Sequence, residues 1–236
     1  MNAYPEKQHY TADDLAAIIA ILRDPDNGCP WDKVQTHWSI RMNFLEEAYE
    51  AVDAIDLDDP ELLCEELGDV LMQVVFHAQI EREAGHFTFA EVCDGVCRKL
   101  LDRHPHIFRG DESIKDWDSL KNKEKGRLTL ADDLESVPRA LPALMRAQKL
   151  QKRAVRCGVP EPEGTQAQQA LQQAVDGWNA AQNADAAGEL LFAAANAMRL
   201  AGVDAEEALT FASGRFRQEL LQKTEDSDGQ ERPATV

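Results

Sequence analysis

Two clusters of acidic residues lie close together in the first third of the chain, inside segments whose other residues are typical of packed helices. The sequence EEAYE contains Glu46, Glu47 and Glu50, and EELGD contains Glu66 and Asp69. Residues three positions apart share one face of a helix, so Glu47 pairs with Glu50 and Glu66 pairs with Asp69. Carboxylate oxygens without a matching set of His or Cys ligands favour Mg²⁺, with Mn²⁺ as a possible substitute. The residue types and their spacing therefore predict a divalent-metal site.

The break between the two acidic segments predicts that their helices form an antiparallel hairpin. Counted from Asp58 as the centre of the turn, Glu50 and Glu66 each lie eight positions away, and Glu47 and Asp69 each lie eleven positions away. At a rise of ~1.5 Å per residue the members of each pair are level with each other, so the carboxylates converge. Like charges on a helix repel by roughly 0.2–0.5 kcal/mol per pair even when exposed. A bound cation accounts for such a cluster, and a solvated acidic face is the alternative.

Cationic and aromatic residues follow the acidic hairpin at helical spacing. Lys99 and Arg103 are four positions apart, as are Trp117 and Lys121. Lysine binds phosphate as a point charge and arginine as a bidentate fork, while Trp117 can stack on a base or cover a pocket. Lys33, in the loop before the hairpin, is a candidate for a nucleotide contact or for capping the next helix. Together these residues indicate a phosphate-bearing small ligand, although each one is also common on a solvated surface.

Capping residues and apolar periodicity predict an all-α fold. Ala and Leu are abundant, β-branched runs are scarce and aromatic residues make up only 6% of the chain, all of which favour helices over sheet. Start and stop signals define four helices in the first half. The predicted helices start after Thr11, run from about Thr36 to about Ile55, run from Pro60 behind the N-cap Asp59 to about Ala84, and run from Thr88 until Pro105 stops the last one.

The second half of the chain resembles the first, which predicts a tandem duplication of one helical module. GELLFAAANAMRLAG, residues 188–202, is similar to GDVLMQVVFHAQIEREAG, residues 68–85, and QKLQKRA, residues 148–154, is similar to DKVQTHW, residues 32–38. The predicted parts are a first module over 1–128, a linker over 129–147, a second module over 148–223 and a disordered tail over 224–236.

The second copy keeps the apolar positions of the first but has lost most of the acidic residues of the two clusters. Gln172, Gln173 and Asp176 stand where the first copy has Glu46, Glu47 and Glu50, and Ala186 and Glu189 stand where it has Glu66 and Asp69. A packed module therefore does not need the full acidic set. This difference indicates that the acids of the first copy serve a function other than folding.

Composition limits the classes of ligand and location. The chain has 236 residues, 44% of them hydrophobic, and a net charge of −18, which disfavours a polymeric nucleic acid as partner. Small anions such as nucleotides remain possible, because a cation held by carboxylates reverses the local charge. Five cysteines without a CxxC pair indicate neither a disulfide framework nor a zinc site, and no window approaches a membrane span. We expect a soluble cytoplasmic protein without a membrane partner.

The ordered set of motifs resembles the MazG family of nucleoside triphosphate pyrophosphohydrolases. EExxE and ExxD are preceded by GCPWDKVQTHWS and followed by RHPHIF and WDSLKNKEKG, and the likeness runs from about Thr11 to Arg217. The resemblance implies an all-α fold of the helical nucleotide pyrophosphatase class, with Mg²⁺ sites in four-helix cores that a homodimer completes. It also implies hydrolysis of a nucleoside or deoxynucleoside triphosphate to the monophosphate and pyrophosphate.

The resemblance also assigns roles to residues. It implies that Mg²⁺ is held by Glu47, Glu50, Glu66 and Asp69, and that Glu46 orients or deprotonates the attacking water beside Glu47 and Glu50. The positions that match substrate-binding residues of the family are Lys99, Arg103, Trp117 and Lys121. Family members with two modules can use the second as the main catalytic one. In this chain, however, the second module has lost most of the acidic residues of these motifs. We therefore place activity in the first module and expect a structural, dimer-forming or regulatory role for the second.

Two other classes of protein compete with this interpretation. A ferritin-like di-iron protein also uses carboxylates from bundled helices, but it needs an ExxH motif on each of two helices, and only Glu83 and His86 match. A helical interaction module would use its acids for solubility or for a basic partner. The second copy alone fits that description better than the first.

Overall fold

The computed structural model describes residues 4–110 and 129–230, with side chains as far as residue 224. The chain forms two compact units, Met1–Lys115 and Asp116–Val236. Regular structure in the described ranges is helical throughout, which confirms the predicted all-α class. The predicted change of module after residue 128 stays a prediction, because residues 111–128 lie outside the described ranges.

The first unit contains the helices that the capping residues predict. They are α1 Ala12–Leu22, a 3-10 turn Asp32–Val34, α2 His37–Asp56, α3 Pro60–Glu83, α4 Phe89–Arg103 and the short α5 Pro105–Phe108. Thr11, Thr36 and Thr88 each accept a hydrogen bond from the third residue of the helix that follows, in a capping box. Asp59 caps α3 by accepting from the backbone N–H groups of Glu61 and Leu62. These caps place the predicted helix starts within a residue of the observed ones.

A small apolar core fixes the hairpin of α2 and α3 against α1. Ile19, Ile40, Val75 and Phe76 are buried together. Arg23, at the end of α1, lies 5.1 Å from the centre of the Phe76 ring and forms a two-point ion pair with Glu83 at 2.7 and 2.9 Å. The same guanidinium donates to the carbonyls of Asp32 and Gln35, so it ties the loop before α2 to the end of α3.

The helices of the second unit pack on one another in the same order as those of the first. Its helices are α6 Leu130–Glu135, α7 Ala143–Arg156, α8 Gly164–Ala181, α9 Ala184–Leu200 and α10 Ala205–Gln230. The helices α8 and α9 form a hairpin like that of α2 and α3, and α7 packs on α9 as α1 packs on α3. No helix within the described ranges combines the length and the apolar composition that crossing a membrane requires.

Three details differ from the sequence predictions. The predicted linker holds α6 and the start of α7, because Pro138 and Pro142 lie between the two helices and not inside them. The predicted disordered tail is helical as far as Gln230, since extending an existing helix avoids the cost of nucleation. QKLQKRA lies within α7, the counterpart of α1, whereas DKVQTHW spans the 3-10 turn and the start of α2. The proposed likeness between those two segments was therefore wrong.

Candidate functional site

The hairpin of α2 and α3 brings three carboxylates together. Glu47 of α2 and Glu66 and Asp69 of α3 each place one oxygen so that the three atoms lie within 4.8 Å of one another. All three side chains are half-buried. We call these three residues the acid cluster. It contains the predicted level pair of Glu47 and Asp69, joined by Glu66 one turn away on the same face of α3.

Small residues on α2 explain why Glu47 points toward α3. Ala51 and Ala54 are buried, and they follow Glu47 by four and seven positions, so all three lie on one face of the helix. The Gln73 side chain, also buried, donates to a carboxylate oxygen of Glu47 at 3.4 Å. Sequence reasoning missed Gln73, although it follows Asp69 by one turn and Glu66 by two, which is the periodicity that identified the acids.

The carboxylates of the acid cluster repel one another. Burial raises the pKa of Glu47 despite the hydrogen bond from Gln73, and the charges of Asp69 and Glu50 raise it further. Burial also raises the pKa of Glu66, with added repulsion from Asp69, Glu65 and Glu47. Carboxyl groups with a raised pKa in the folded state stabilise it at low pH, and this stability is lost as the pH rises through their folded pKa. At neutral pH the cluster is therefore unfavourable until a cation offsets its charge.

Around the axis of α2, Glu50 and then Glu46 lie progressively farther from Glu47, which faces α3. At about 100° per residue, Glu50 is displaced by about 60° from Glu47 and Glu46 by about 100°. Both side chains are exposed, although the negative charge of Glu50 is close enough to raise the pKa of Glu47. The structure thus gives three central carboxylates with Glu50 at the edge, where the sequence predicted four equivalent ligands. Glu46 is not part of the cluster.

The predicted cationic residues have separate locations. The Lys33 ammonium donates to the carbonyl of Pro25 at 3.1 Å and lines a cavity beside Gln79 and Glu83. Gln79 lies ten positions beyond Asp69 on α3, about 15 Å along the axis, so Lys33 is not brought to the acid cluster within one chain. Lys99 is exposed and Arg103 is buried near the end of α4. Trp117 and Lys121 lie outside the described residues.

In the second unit, the groove between the two hairpin helices lacks most of the acidic residues. A cavity of about 520 Å³ between α8 and α9 is lined by Gln173, Ala186 and Glu189, the counterparts of the three members of the acid cluster. Only one of those residues is charged. At the edge of the groove, the Gln172 amide donates to Asp176 at 3.0 Å, so this carboxylate has a partner within its own helix. The hairpin therefore folds without a concentrated negative charge.

The ferritin-like alternative depends on Glu83 and His86, and the structure separates them. Glu83 is the last residue of α3 and pairs with Arg23, whereas His86 bonds to Glu81 at 2.6 Å. Gly85 between them has a φ of 76°, which ends the helix. The two side chains do not share a site, so this interpretation was wrong.

An all-α unit whose central hairpin gathers three carboxylates belongs to the class of helical proteins with a candidate divalent-metal site. Residues 35–108, which include the whole hairpin, match the MazG nucleotide pyrophosphohydrolase domain. The chain is 41% identical over 222 residues to the nucleoside triphosphate pyrophosphohydrolase of Escherichia coli strain K12, covering 86% of this chain and 83% of that protein. It is 38% identical over 224 residues to the nucleoside triphosphate pyrophosphohydrolase/pyrophosphatase MazG of Thermotoga maritima, covering 89% and 87%. The chain belongs to the MazG family.

The alignment with a third relative covers less of the chain. The nucleoside triphosphate pyrophosphohydrolase of Mycolicibacterium smegmatis is 38% identical over 165 residues, which is 67% of this chain and 50% of that protein. The matched family domain lies within the first unit. This is the unit that contains the acid cluster.

Proposed function

We propose that this protein is a Mg²⁺-dependent nucleoside triphosphate pyrophosphohydrolase, which converts a nucleoside or deoxynucleoside triphosphate to its monophosphate and pyrophosphate in the first unit. The observation that carries the proposal is the acid cluster on the α2–α3 hairpin. Its location inside the matched family domain, and the names of relatives that align over most of the chain, support the same reaction.

The residues of the acid cluster fit a small divalent cation. Their oxygens are hard ligands, they lie within 4.8 Å of one another, and burial with mutual repulsion raises the pKa values of two of them. Glu47, Glu66 and Asp69 would hold Mg²⁺, or Mn²⁺ in its place, with Glu50 within reach at the edge. Bound Mg²⁺ supplies charge neutralisation for the phosphates and polarises their oxygens toward attack by water.

Other residues of the unit would orient the reactants. Gln73 holds Glu47 in place through its amide, while the exposed carboxylate of Glu46 is free to orient a water and accept its proton. Counted from His86 between α3 and α4, Arg103 and Asp69 both lie seventeen positions away, and Lys99 and Gln73 both lie thirteen positions away. Because α4 packs on α3, we propose that this equal spacing brings Lys99 and Arg103 level with the acid cluster, where they would bind the phosphates.

Apolar surface on the same helices supports a homodimer. Tyr49, Val52 and Ile55 of α2 and Leu67 of α3 are each about half exposed, between 49% and 59%. Exposed apolar residues on adjacent helices lose contact with water when a second subunit packs on them. We therefore propose that two copies of the chain complete the helical core around the acid cluster.

The proposed reaction is tested with a panel of ribonucleoside and deoxynucleoside triphosphates, assayed with Mg²⁺, with Mn²⁺ and with EDTA. We expect pyrophosphate and the nucleoside monophosphate in equal amounts, identified by ³¹P NMR, and loss of activity in EDTA. Release of inorganic phosphate, or turnover that persists in EDTA, contradicts the proposed reaction. The panel also determines which base and sugar are preferred.

A further inference from the structure

The second unit contains a basic cavity that is separate from the groove between α8 and α9. Its volume is about 580 Å³, and it lies between α7 and α9. Of the described residues, five with cationic side chains line it, together with Val155 and Glu161; the five are Lys149, Lys152, Arg153, Arg156 and Arg199. We call it the basic cavity.

Helical spacing on α7 concentrates this positive charge. Lys149, Lys152, Arg153 and Arg156 lie at i, i+3, i+4 and i+7, so all four occupy one face of the helix. Within the described part of the chain, neither lysine forms an ion pair, and both side chains are exposed. Their ammonium groups are available to a ligand.

The arginines of the cavity are held in place by two carboxylates. The buried Asp133 pairs with both Arg153 and Arg156, each at 2.7 Å, and Glu161 pairs with Arg199 at 2.7 Å. Among the described residues, five cationic side chains thus face two carboxylates, so positive charge exceeds negative charge. The fixed orientation reduces the entropy that the arginines lose when they bind an anion.

The first unit provides a comparison at the corresponding place in the module. A cavity of about 620 Å³ beside α1 and α3 is lined by Arg23 and Lys33 and by Asp24 and Glu83. Among the described residues that line it, cations and carboxylates are equal in number. The excess of positive charge in the second unit is therefore not a consequence of how a helix packs on the hairpin.

We propose that the basic cavity binds a small polyphosphate anion. Its volume lies within the range of about 300–1,000 Å³ typical of small-molecule sites, and lysine and arginine are the side chains that bind phosphate oxygens. The net charge of −18 repels an extended polyanion, which would have to pass over the rest of the acidic surface. Inorganic pyrophosphate and the diphosphate of a nucleotide share the required chemistry.

Isothermal titration calorimetry of the full chain with inorganic pyrophosphate, in EDTA, tests this proposal without metal at the acid cluster. We expect binding to the wild type, and binding at least about tenfold weaker in the double variant Lys149→Ala/Lys152→Ala, because two charged contacts are lost. The matched control is Arg215→Ala/Arg217→Ala, which removes the same charge from exposed positions on α10 and should leave binding unchanged. Circular dichroism confirms that both variants remain folded.

The proposal is overturned if the wild type does not bind pyrophosphate in EDTA, or if both double variants bind it equally well. Equal binding of pyrophosphate and a nucleoside diphosphate shows that the cavity recognises phosphates alone. Tighter binding of the diphosphate, weakened by the same lysine substitutions, shows that the nucleoside is also recognised. Neither result depends on the reaction proposed for the first unit, since no catalysis is measured.

Discussion

Replacing Asp69 with asparagine (Asp69→Asn) is expected to lower the rate of pyrophosphate release at least about 100-fold, because it removes one carboxylate from the proposed Mg²⁺ site. The substitution keeps the size of the side chain. It also removes a negative charge that raises the pKa values of Glu47 and Glu66, so the fold does not depend on the lost carboxylate. The measurement is steady-state pyrophosphate release at saturating Mg²⁺, with helicity checked by circular dichroism.

The second unit offers a matched control for this substitution. Glu189 occupies the position of Asp69 in the α8–α9 hairpin, where its groove neighbours Gln173 and Ala186 are uncharged. We expect Glu189→Gln to retain the wild-type rate within about twofold, in keeping with the small effects of most substitutions outside an active site. A loss of rate in Glu189→Gln and not in Asp69→Asn would place the activity in the second unit and contradict our assignment.

Replacing Asp133 with alanine (Asp133→Ala) is expected to destabilise the second unit by about 3–5 kcal/mol, because it leaves buried guanidinium charge without its partner. Asp133 is 2% exposed, and it bonds to Arg153 and Arg156. Urea titration with hydrogen exchange of α7 peptides measures the free energy of unfolding of this unit. Glu135→Ala, an exposed position on the same short helix, is the matched control and should change it by less than about 0.5 kcal/mol.

The same ion pairs predict how this stability depends on pH. Burial acts against the Asp133 carboxylate, but the hydrogen bond and charge of Arg156 and the charge of Arg153 outweigh it and hold the pKa below its usual value of 3.8. A carboxyl group with a lowered pKa contributes stability above its unfolded pKa, and that stability is lost as the pH falls through its folded pKa. The difference in stability between wild type and Asp133→Ala should therefore shrink below about pH 4. A difference that is constant from pH 7 to pH 3 contradicts the account.

Much of the first unit could be predicted because its helix ends depend on local chemistry. Thr11, Thr36, Asp59 and Thr88 cap helices through side-chain oxygens within three residues, and such contacts are encoded in short stretches of sequence. The short helix α6 was not predicted, since six residues carry too little apolar periodicity to identify. Its position depends on tertiary contacts, such as the ion pairs of Asp133.

The acid cluster was predictable to the level of the helix face and not beyond it. Counting from Asp58 correctly placed Glu47 opposite Asp69, because the rise along a helix is fixed. Which of Glu47 and Glu50 lies within the acid cluster and which at its edge depends on how α2 is rotated about its axis. That rotation is set by the burial of Ala51 and Ala54, and two alanines in an alanine-rich chain give little signal.

Binding of Mn²⁺, followed by electron paramagnetic resonance, tests most directly whether the acid cluster is a metal site. We expect the wild type to bind Mn²⁺ and Mg²⁺ to displace it. We also expect Asp69→Asn to lose this binding and Glu189→Gln to keep it. Equal Mn²⁺ binding by wild type and Asp69→Asn, or its loss in Glu189→Gln alone, would contradict the assignment of the metal to Glu47, Glu66 and Asp69.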